Sequence, residues 1–209
     1  MREPDNIAMF GFTGVGKTKF AMDCIEGQSA ICLSNAPRDR SFIDIPLIAS
    51  DKVGTVVGDG KIYKVHEPFN LLKAIENISN LYYNGNVLYD DLRSVLKGNL
   101  AGSVETMIGQ VRHNGSDQFF SFWNLNHIPP FLCDMTSKVV LFKTGETDMR
   151  GLPKLPRMDE VMKAYEWVQG LDPVVYKRSY AYLVTNPLDP KSKLPFVKVL
   201  RKENPATQQ

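Results

Sequence analysis

Eight residues near the start of the chain, from Gly11 to Thr18, have the types and spacing of a phosphate-binding loop. They read GFTGVGKT and match the pattern GxxxxGK[ST] completely. The apolar run 7–10 precedes them and residues 19–25 can continue as a helix, so the motif has the strand, loop and helix order that it needs. Backbone N–H groups of such a loop converge on phosphate oxygens, and glycines allow the close approach. The predicted chemistry is binding of the phosphate groups of a nucleotide.

Two side chains of the loop have predicted roles in phosphoryl chemistry. Lys17 would neutralise the β- and γ-phosphates of a nucleoside triphosphate, and the Thr18 hydroxyl would ligate Mg²⁺. A glycine-rich turn that binds nothing is the alternative interpretation. The residues predicted to contact the nucleotide are Gly11, Phe12, Thr13, Gly14, Val15, Gly16, Lys17, Thr18 and Lys19.

Two adjacent carboxylates, Asp90 and Asp91, follow the apolar segment 86–89. In P-loop NTPases an aspartate at the end of a strand holds Mg²⁺, directly or through water, and an acidic neighbour can orient or deprotonate the attacking water. We therefore assign Asp90 to the metal and Asp91 to the water. Side chains alternate along a strand, so both roles require the strand to bend or to end at Asp91. The same sequence could also be the start of a turn.

Composition and charge limit the possible functions. The chain has 209 residues, of which 43% are apolar and 23% charged, which is typical of a globular protein and excludes disorder. A net charge of +2 means that any DNA contact must come from local clusters. Cys24, Cys32 and Cys133 form no CxxC pair, which argues against a disulfide scaffold or a zinc site. Without an apolar run of membrane length or a signal peptide, we expect a soluble protein of a reducing compartment.

Apolar periodicity predicts strands that alternate with helices. Strands are expected at 7–10, 29–34, 86–91, 118–123, 138–144, 180–184 and 196–200, and helices at 19–25, 69–83, 103–113, 130–136 and 158–169. This alternation predicts an α/β fold with a mostly parallel central sheet and helices on both faces. We interpret residues 1–209 as one domain, with a core at about 5–150 and a C-terminal extension at about 151–209.

One segment has two possible structures. The turn Gly58-Asp59-Gly60 between residues 54–57 and 61–65 is typical of a β-hairpin, because Asp-Gly supplies the positive φ of a tight turn. The second arm could equally be a strand of the main sheet.

The order of these features resembles the FtsK/HerA class of RecA-like motor ATPases, over about residues 7–144. The shared features are the phosphate loop, the strand ending in Asp90-Asp91, the helix ending in Arg112-His113, the apolar strand with Asn124 at its exit, and the run from Ile128-Pro129-Pro130 to Leu141-Phe142-Lys143-Thr144. Within that class the chain is most similar to the small genome-packaging ATPases of tailless viruses with an internal membrane. It is more loosely similar to the Zot-like assembly ATPases of filamentous phages.

The resemblance implies a RecA-like fold of the ASCE type, the use of ATP and Mg²⁺, and a ring, usually of six subunits, that pulls DNA through its centre. Such rings complete each site with an arginine from the neighbouring subunit, and Arg112 matches that position. Arg93 is the competing candidate. Arg112 could also be a surface arginine that the helix dipole favours.

The resemblance also implies a polar sensor of the γ-phosphate at the exit of the strand after Arg112. The family often has Gln or His there, whereas this chain has Phe122, Trp123 and Asn124. Asn124 would then act from one residue further on. We expect Trp123 to lie in the sheet core rather than to stack on bases.

Basic residues supply candidate contacts to DNA. Arg93 and Lys97 lie beyond the acidic strand end, where ring motors carry loops into the pore. The C-terminal part is also basic, through Lys177, Arg178, Lys191, Lys193, Lys198, Arg201 and Lys202, against Asp189 and Glu203. These groups could instead form an ordinary solvated surface.

The sequence therefore predicts a Mg²⁺-dependent ATPase that translocates DNA and packages a viral genome into a preformed capsid. It would act in the host cytoplasm or at the packaging vertex of the virion, with a capsid or membrane protein as a possible docking partner. A Zot-like or conjugation-type export ATPase is the alternative. A small-molecule kinase, using Arg38 and Arg40 or Arg150 and Arg157, and a slow nucleotide switch are alternatives of other classes.

These alternatives make different predictions for hydrolysis. A motor should show ATPase activity that DNA stimulates, and this activity should be lost in Lys17→Ala and in Asp91→Asn. Phosphate release with and without DNA measures both effects. Hydrolysis that does not respond to DNA would favour the kinase or the switch.

Overall fold

The computed structural model describes residues 3–34, 42–67, 69–90, 101–144 and 155–202. The chain divides into two compact units. The first unit comprises Met1–Asn6 and Thr18–Ser121, and the second comprises Ile7–Lys17 and Phe122–Gln209. The single-domain organisation inferred from the sequence stays a prediction.

The first unit contains parallel strands that alternate with helices. Its strands are β2 (Ala30–Ser34), β3 (Ile62–Val65), β4 (Asn86–Asp90) and β5 (Asp117–Phe122), and its helices are α1 (Lys17–Ile25), α2 (Leu71–Leu81) and α3 (Ala101–His113). The strand order is β3-β2-β4-β5, and every pairing is parallel. Both β2 and the first four residues of β4 are buried, as continuous apolar strands of a covered parallel sheet should be.

The second unit contains the strand before the phosphate loop and the C-terminal strands. Its strands are β1 (Asn6–Phe10), β6 (Lys138–Leu141), β7 (Tyr180–Val184) and β8 (Val197–Val199), and its helices are α4 (Pro130–Met135) and α5 (Met158–Gln169). The β1 and β6 strands pair in parallel, whereas β7 is antiparallel to both β6 and β8. The bounds of α5 and β7 are those predicted from the sequence.

The eight strands follow the order β3-β2-β4-β5-β1-β6-β7-β8. Within the first unit the Gln118 N–H donates to the Asp5 carbonyl at 2.8 Å, and within the second the Gly11 N–H donates to the Phe122 carbonyl at 3.1 Å. The predicted α/β fold with a mostly parallel sheet is thus confirmed. Among the described residues, no helix has both the length and the apolar character that crossing a bilayer requires.

The hairpin suggested around Gly58-Asp59-Gly60 does not form. Residues Ser50–Val56 are a 3₁₀ helix, and β3 pairs in parallel with β2. Asp59 explains the turn, because its carboxylate accepts from the Lys61 N–H at 2.9 Å and from the Tyr63 hydroxyl at 2.7 Å. The turn therefore leads the chain into a strand of the main sheet, the second of the two structures that the sequence left open.

The prediction that Trp123 lies in the sheet core is wrong. β5 ends at Phe122, whose ring stacks on Phe10 with centroids 5.5 Å apart. Trp123 follows the end of the strand and is 52% exposed. The aromatic residues Phe119, Phe120 and Phe122 are buried as predicted.

A buried amide links three elements of the first unit. Gln118 Nε2 donates to Asn6 Oδ1 and to the Ile108 carbonyl, both at 3.0 Å. Its Oε1 accepts from the Tyr89 hydroxyl at 3.1 Å. Because Gln118 and Tyr89 are fully buried, water cannot replace these hydrogen bonds.

We expect Gln118→Leu to lower the free energy of unfolding by about 2–4 kcal/mol. The substitution removes three hydrogen bonds and leaves buried polar atoms without partners. The control Tyr89→Phe removes one of these bonds and should cost about 1 kcal/mol. Urea unfolding followed by circular dichroism measures both values. A Gln118→Leu protein as stable as the wild type would show that the network contributes nothing.

Candidate active site

The phosphate loop lies in the second unit, between β1 and α1. Gly14 and Gly16 have φ angles of +80° and +104°, which residues with a side chain rarely adopt. At Gly11 the constraint is space, because an added Cβ would lie 2.6 Å from Phe142 Cβ and 2.8 Å from Val15 Cγ2. The three glycines of the motif are thus required by the backbone that the loop adopts.

Lys17 turns its ammonium group back into the loop. Its Nζ donates to the carbonyls of Gly11 at 2.5 Å and Phe12 at 2.9 Å, and the residue is only 8% exposed. The Phe12 N–H in turn donates to the Lys143 carbonyl at 3.0 Å, which ties the loop to the end of β6. Phosphate oxygens are stronger partners for an ammonium group than neutral carbonyls are. The loop therefore fits a polyphosphate, as the sequence predicted.

Asn124 lies in the second unit, just before a 3₁₀ helix at Leu125–His127. Its Oδ1 is buried and has no hydrogen-bond partner within the part of the chain that the structure describes. A buried acceptor of this kind normally receives a donor. A water molecule next to a bound γ-phosphate would supply one, so Asn124 fits the sensor role, which stays a prediction.

Asp90 lies in the first unit, at the C-terminal end of β4. The parallel register aligns it with Ser34 of β2 and Ser121 of β5. The Ser34 hydroxyl donates to Asp90 Oδ2 at 3.3 Å, which orients the carboxylate. Burial and, to a lesser extent, the Asp90 charge raise the pKa of the Cys32 thiol to about 12, so Cys32 stays neutral.

Thr18, the other predicted metal ligand, also belongs to the first unit and is half-buried at the start of α1. Mg²⁺ commonly takes one or two protein ligands and completes its shell with phosphate and water. A threonine hydroxyl and an oriented aspartate are donors of the type that Mg²⁺ prefers. In the described ranges, no group of three His, Cys, Asp or Glu residues could hold a metal ion.

Arg112 lies in the last turn of α3 and forms an ion pair with Glu3 at 3.8 Å. This helix leads into the start of β5, which pairs with the start of β4, whereas Asp90 is the last residue of β4. The length of β4, roughly 13 Å, thus separates that edge from Asp90. Arg112 therefore lies at the opposite end of β4 from Asp90 of its own chain, and its role as an arginine finger stays a prediction.

Several predicted residues lie outside the described ranges. These are Asp91, assigned to the attacking water, the proposed DNA contacts Arg93 and Lys97, and the arginines Arg38, Arg40 and Arg150 of the kinase alternative. Arg157 is described and donates to the carbonyls of Val184 and Leu194, both at 2.9 Å. These bonds tie Arg157 to the end of β7 and to the chain before β8.

The sequence analysis named Arg178 and Lys143 but did not place them beside the phosphate loop. Arg178 Cγ lies 3.7 Å from where a Cβ on Gly16 would be. The Lys143 ammonium donates to the carbonyls of Gln169 at 2.8 Å and Leu171 at 2.7 Å, so this residue joins the loop to the end of α5. No local pattern marks these positions, because Lys143 is brought to the loop by the pairing of β6 with β1, and Arg178 by the return of the chain into β7.

Solved structures resemble the chain at low sequence identity. The genome packaging NTPase B204 from Sulfolobus turreted icosahedral virus 2, solved with ATP-gammaS, is 14% identical over 97% of this chain and 100% of that chain, with a TM-score of 0.63. The pCW3 conjugation coupling protein TcpA is 10% identical over 95% of this chain and 60% of that chain, with a TM-score of 0.54. The cytoplasmic domain of the type VII secretion ATPase EccC from Thermomonospora curvata is 12% identical over 96% of this chain and 24% of that chain, with a TM-score of 0.53.

At these identities the likeness establishes the fold. The shared fold agrees with the α/β architecture predicted from the sequence. A scan with protein-family models finds no match for the chain, and a search of curated proteins finds none either.

We expect Gly11→Ala to weaken binding of an ATP analogue by about tenfold or more, because the new methyl group would push the loop away from Phe142. The control is Gly109→Ala in α3, where an added Cβ meets nothing within 4 Å. Titration calorimetry gives the affinities, and circular dichroism verifies that both variants fold. Equal affinities in the two variants would contradict a close approach at Gly11.

Proposed function

We propose that the chain is a Mg²⁺-dependent ATPase that translocates DNA and packages a viral genome into a preformed capsid. The observation that carries the proposal is the loop itself. Its glycines adopt the required backbone, and Lys17 holds a nearly buried ammonium group against the loop carbonyls. A loop of this geometry concentrates donors and positive charge where phosphate groups would bind.

Each residue has a defined part in this proposal. The loop amides and Lys17 bind and orient the triphosphate, and Thr18 and Asp90 hold the metal. Mg²⁺ held by these residues would neutralise the charge that develops on the phosphate oxygens. Asn124 accepts a hydrogen bond from the attacking water, and Asp91 orients that water. These groups act by positioning and electrostatics, which are the main sources of catalysis in phosphoryl transfer.

The extent of the structural alignments favours genome packaging over export. The alignment spans 100% of the packaging NTPase but 60% of the conjugation protein and 24% of the secretion ATPase. The chain therefore has counterparts to the whole of the aligned packaging NTPase, whereas it matches only part of the other two proteins. Conjugation or phage assembly remains the second candidate, because the same fold occurs in those larger proteins.

The proposal includes a homo-oligomeric ring, with a hexamer favoured, in which Arg112 reaches the site of the next subunit. DNA would bind without sequence preference, through basic loop residues such as Arg93 and Lys97. The ring would work in the host cytoplasm or at the packaging vertex of the virion, docked on a capsid or membrane protein.

The test is phosphate release with and without double-stranded DNA at about 50 and 200 mM salt. We expect DNA to stimulate hydrolysis, and the stimulation to fall at the higher salt because DNA binding through phosphates weakens steeply. Lys17→Ala should abolish hydrolysis. The matched control is Lys73→Ala, which removes an exposed lysine paired with Glu76 and should leave the rate unchanged.

Two results would count against the proposal. Hydrolysis that persists in Lys17→Ala would mean that the loop is not the site. Hydrolysis that depends on Lys17 but ignores DNA would overturn translocation and leave a kinase or a switch. Molecular mass in solution with ATP tests the ring separately.

A further inference from the structure

Arg178 lies beside the phosphate loop of its own chain, in the segment between α5 and β7. Its Cγ and Cβ are 3.7 and 3.9 Å from the position that a Cβ on Gly16 would occupy, and the residue is exposed. Gly16 directly precedes Lys17. The arginine stem therefore rests against the part of the loop where the phosphate-binding amides and the lysine meet.

Two sets of contacts fix the position of this segment. At its start, the Lys143 ammonium holds the carbonyls of Gln169 and Leu171. At its end, the hydroxyl of the buried Ser179 accepts from the Arg201 N–H at 2.8 Å and donates to the Arg201 carbonyl at 3.4 Å.

Tyr180 adds a third support. Its ring lies 5.2 Å from the ring of Phe142, the residue on which Gly11 packs, and the Arg201 guanidinium lies 5.7 Å from the Tyr180 ring. Arg178 is therefore attached to the same framework that shapes the loop. Its position is set by the fold and does not require a neighbouring subunit.

We propose that Arg178 binds the phosphate groups of the nucleotide in cis. A guanidinium presents several N–H donors in a planar fork and is always charged, which suits bidentate contact with phosphate oxygens. This inference rests on the proposed function, since it requires a nucleotide in the loop. It assigns to Arg178 the binding of the nucleotide in its own site, whereas Arg112 is proposed to act on the site of a neighbour.

The experiment compares three substitutions of Arg178 with one of its neighbour. Arg178→Met keeps an apolar stem against Gly16 but removes the charge, Arg178→Lys keeps the charge without the fork, and Arg178→Ala removes both. Lys177→Ala is the matched control, because Lys177 is an exposed basic residue of the same segment. Calorimetry gives the Kd of ATP and ADP, and phosphate release gives KM and kcat.

Loss of a charge-assisted contact should weaken ATP binding about tenfold or more in Arg178→Met and Arg178→Ala. Arg178→Lys should recover part of the affinity, and Lys177→Ala should bind as the wild type does. We expect KM to rise more than kcat falls. The melting temperature without nucleotide should be unchanged, while the stabilisation by ATP should shrink.

The outcomes separate this inference from the proposed function. If Arg178→Met binds ATP as the wild type does, the role of Arg178 is refuted and the ATPase proposal stands. If the wild type and Lys17→Ala bind ATP equally, or neither binds, both proposals fail.

A mixing experiment tests whether Arg178 acts in cis. Lys17→Ala chains, which keep Arg178, are mixed with Arg178→Ala chains. Activity that stays low supports action within one chain, whereas recovered activity would show that Arg178 serves a neighbour.

Discussion

The candidate site depends on how closely the backbone of the loop can lie against β6. Gly11 has no side chain, and this lets the loop pack on Phe142 at a distance that any Cβ would prevent. The Phe12 N–H then reaches the Lys143 carbonyl, and the Lys17 ammonium folds back onto the loop carbonyls. The loop is thus shaped by its own chain, which reduces the ordering that a ligand would have to impose.

In the first unit, the proposed metal ligand Asp90 is positioned by the register of the sheet. Asp90, Ser34 and Ser121 are far apart in the sequence, yet the parallel register places them in one row at the carboxyl ends of their strands. Because the strands are parallel, their carboxyl ends lie at the same edge of the sheet. This edge is where α/β sheets commonly bind ligands. A single aspartate can therefore be oriented by a serine 56 positions away.

The features that the sequence predicted most accurately are those that a local residue pattern determines. The loop motif is complete within eight residues, and the apolar periodicity of 158–169 and 180–184 gave α5 and β7 their observed bounds. The turn at Gly58-Asp59-Gly60 is compatible with a hairpin and with entry into a parallel strand. The parallel strand forms because β3 pairs with β2, which lies about thirty residues earlier in the chain. The sequence analysis wrongly placed Trp123 in the sheet core, because nothing in the apolar run indicates that β5 ends at Phe122.

The three hydrogen bonds of Lys143 have a mechanical consequence. Its carbonyl anchors the loop and its ammonium anchors the end of α5, so one residue belongs to both. A change in loop geometry between nucleotide states would pull on the segment that leads into β7, which is paired with β8 and its lysine, Lys198. A displacement of the loop would thereby reach β8 through covalent backbone and the three hydrogen bonds of Lys143.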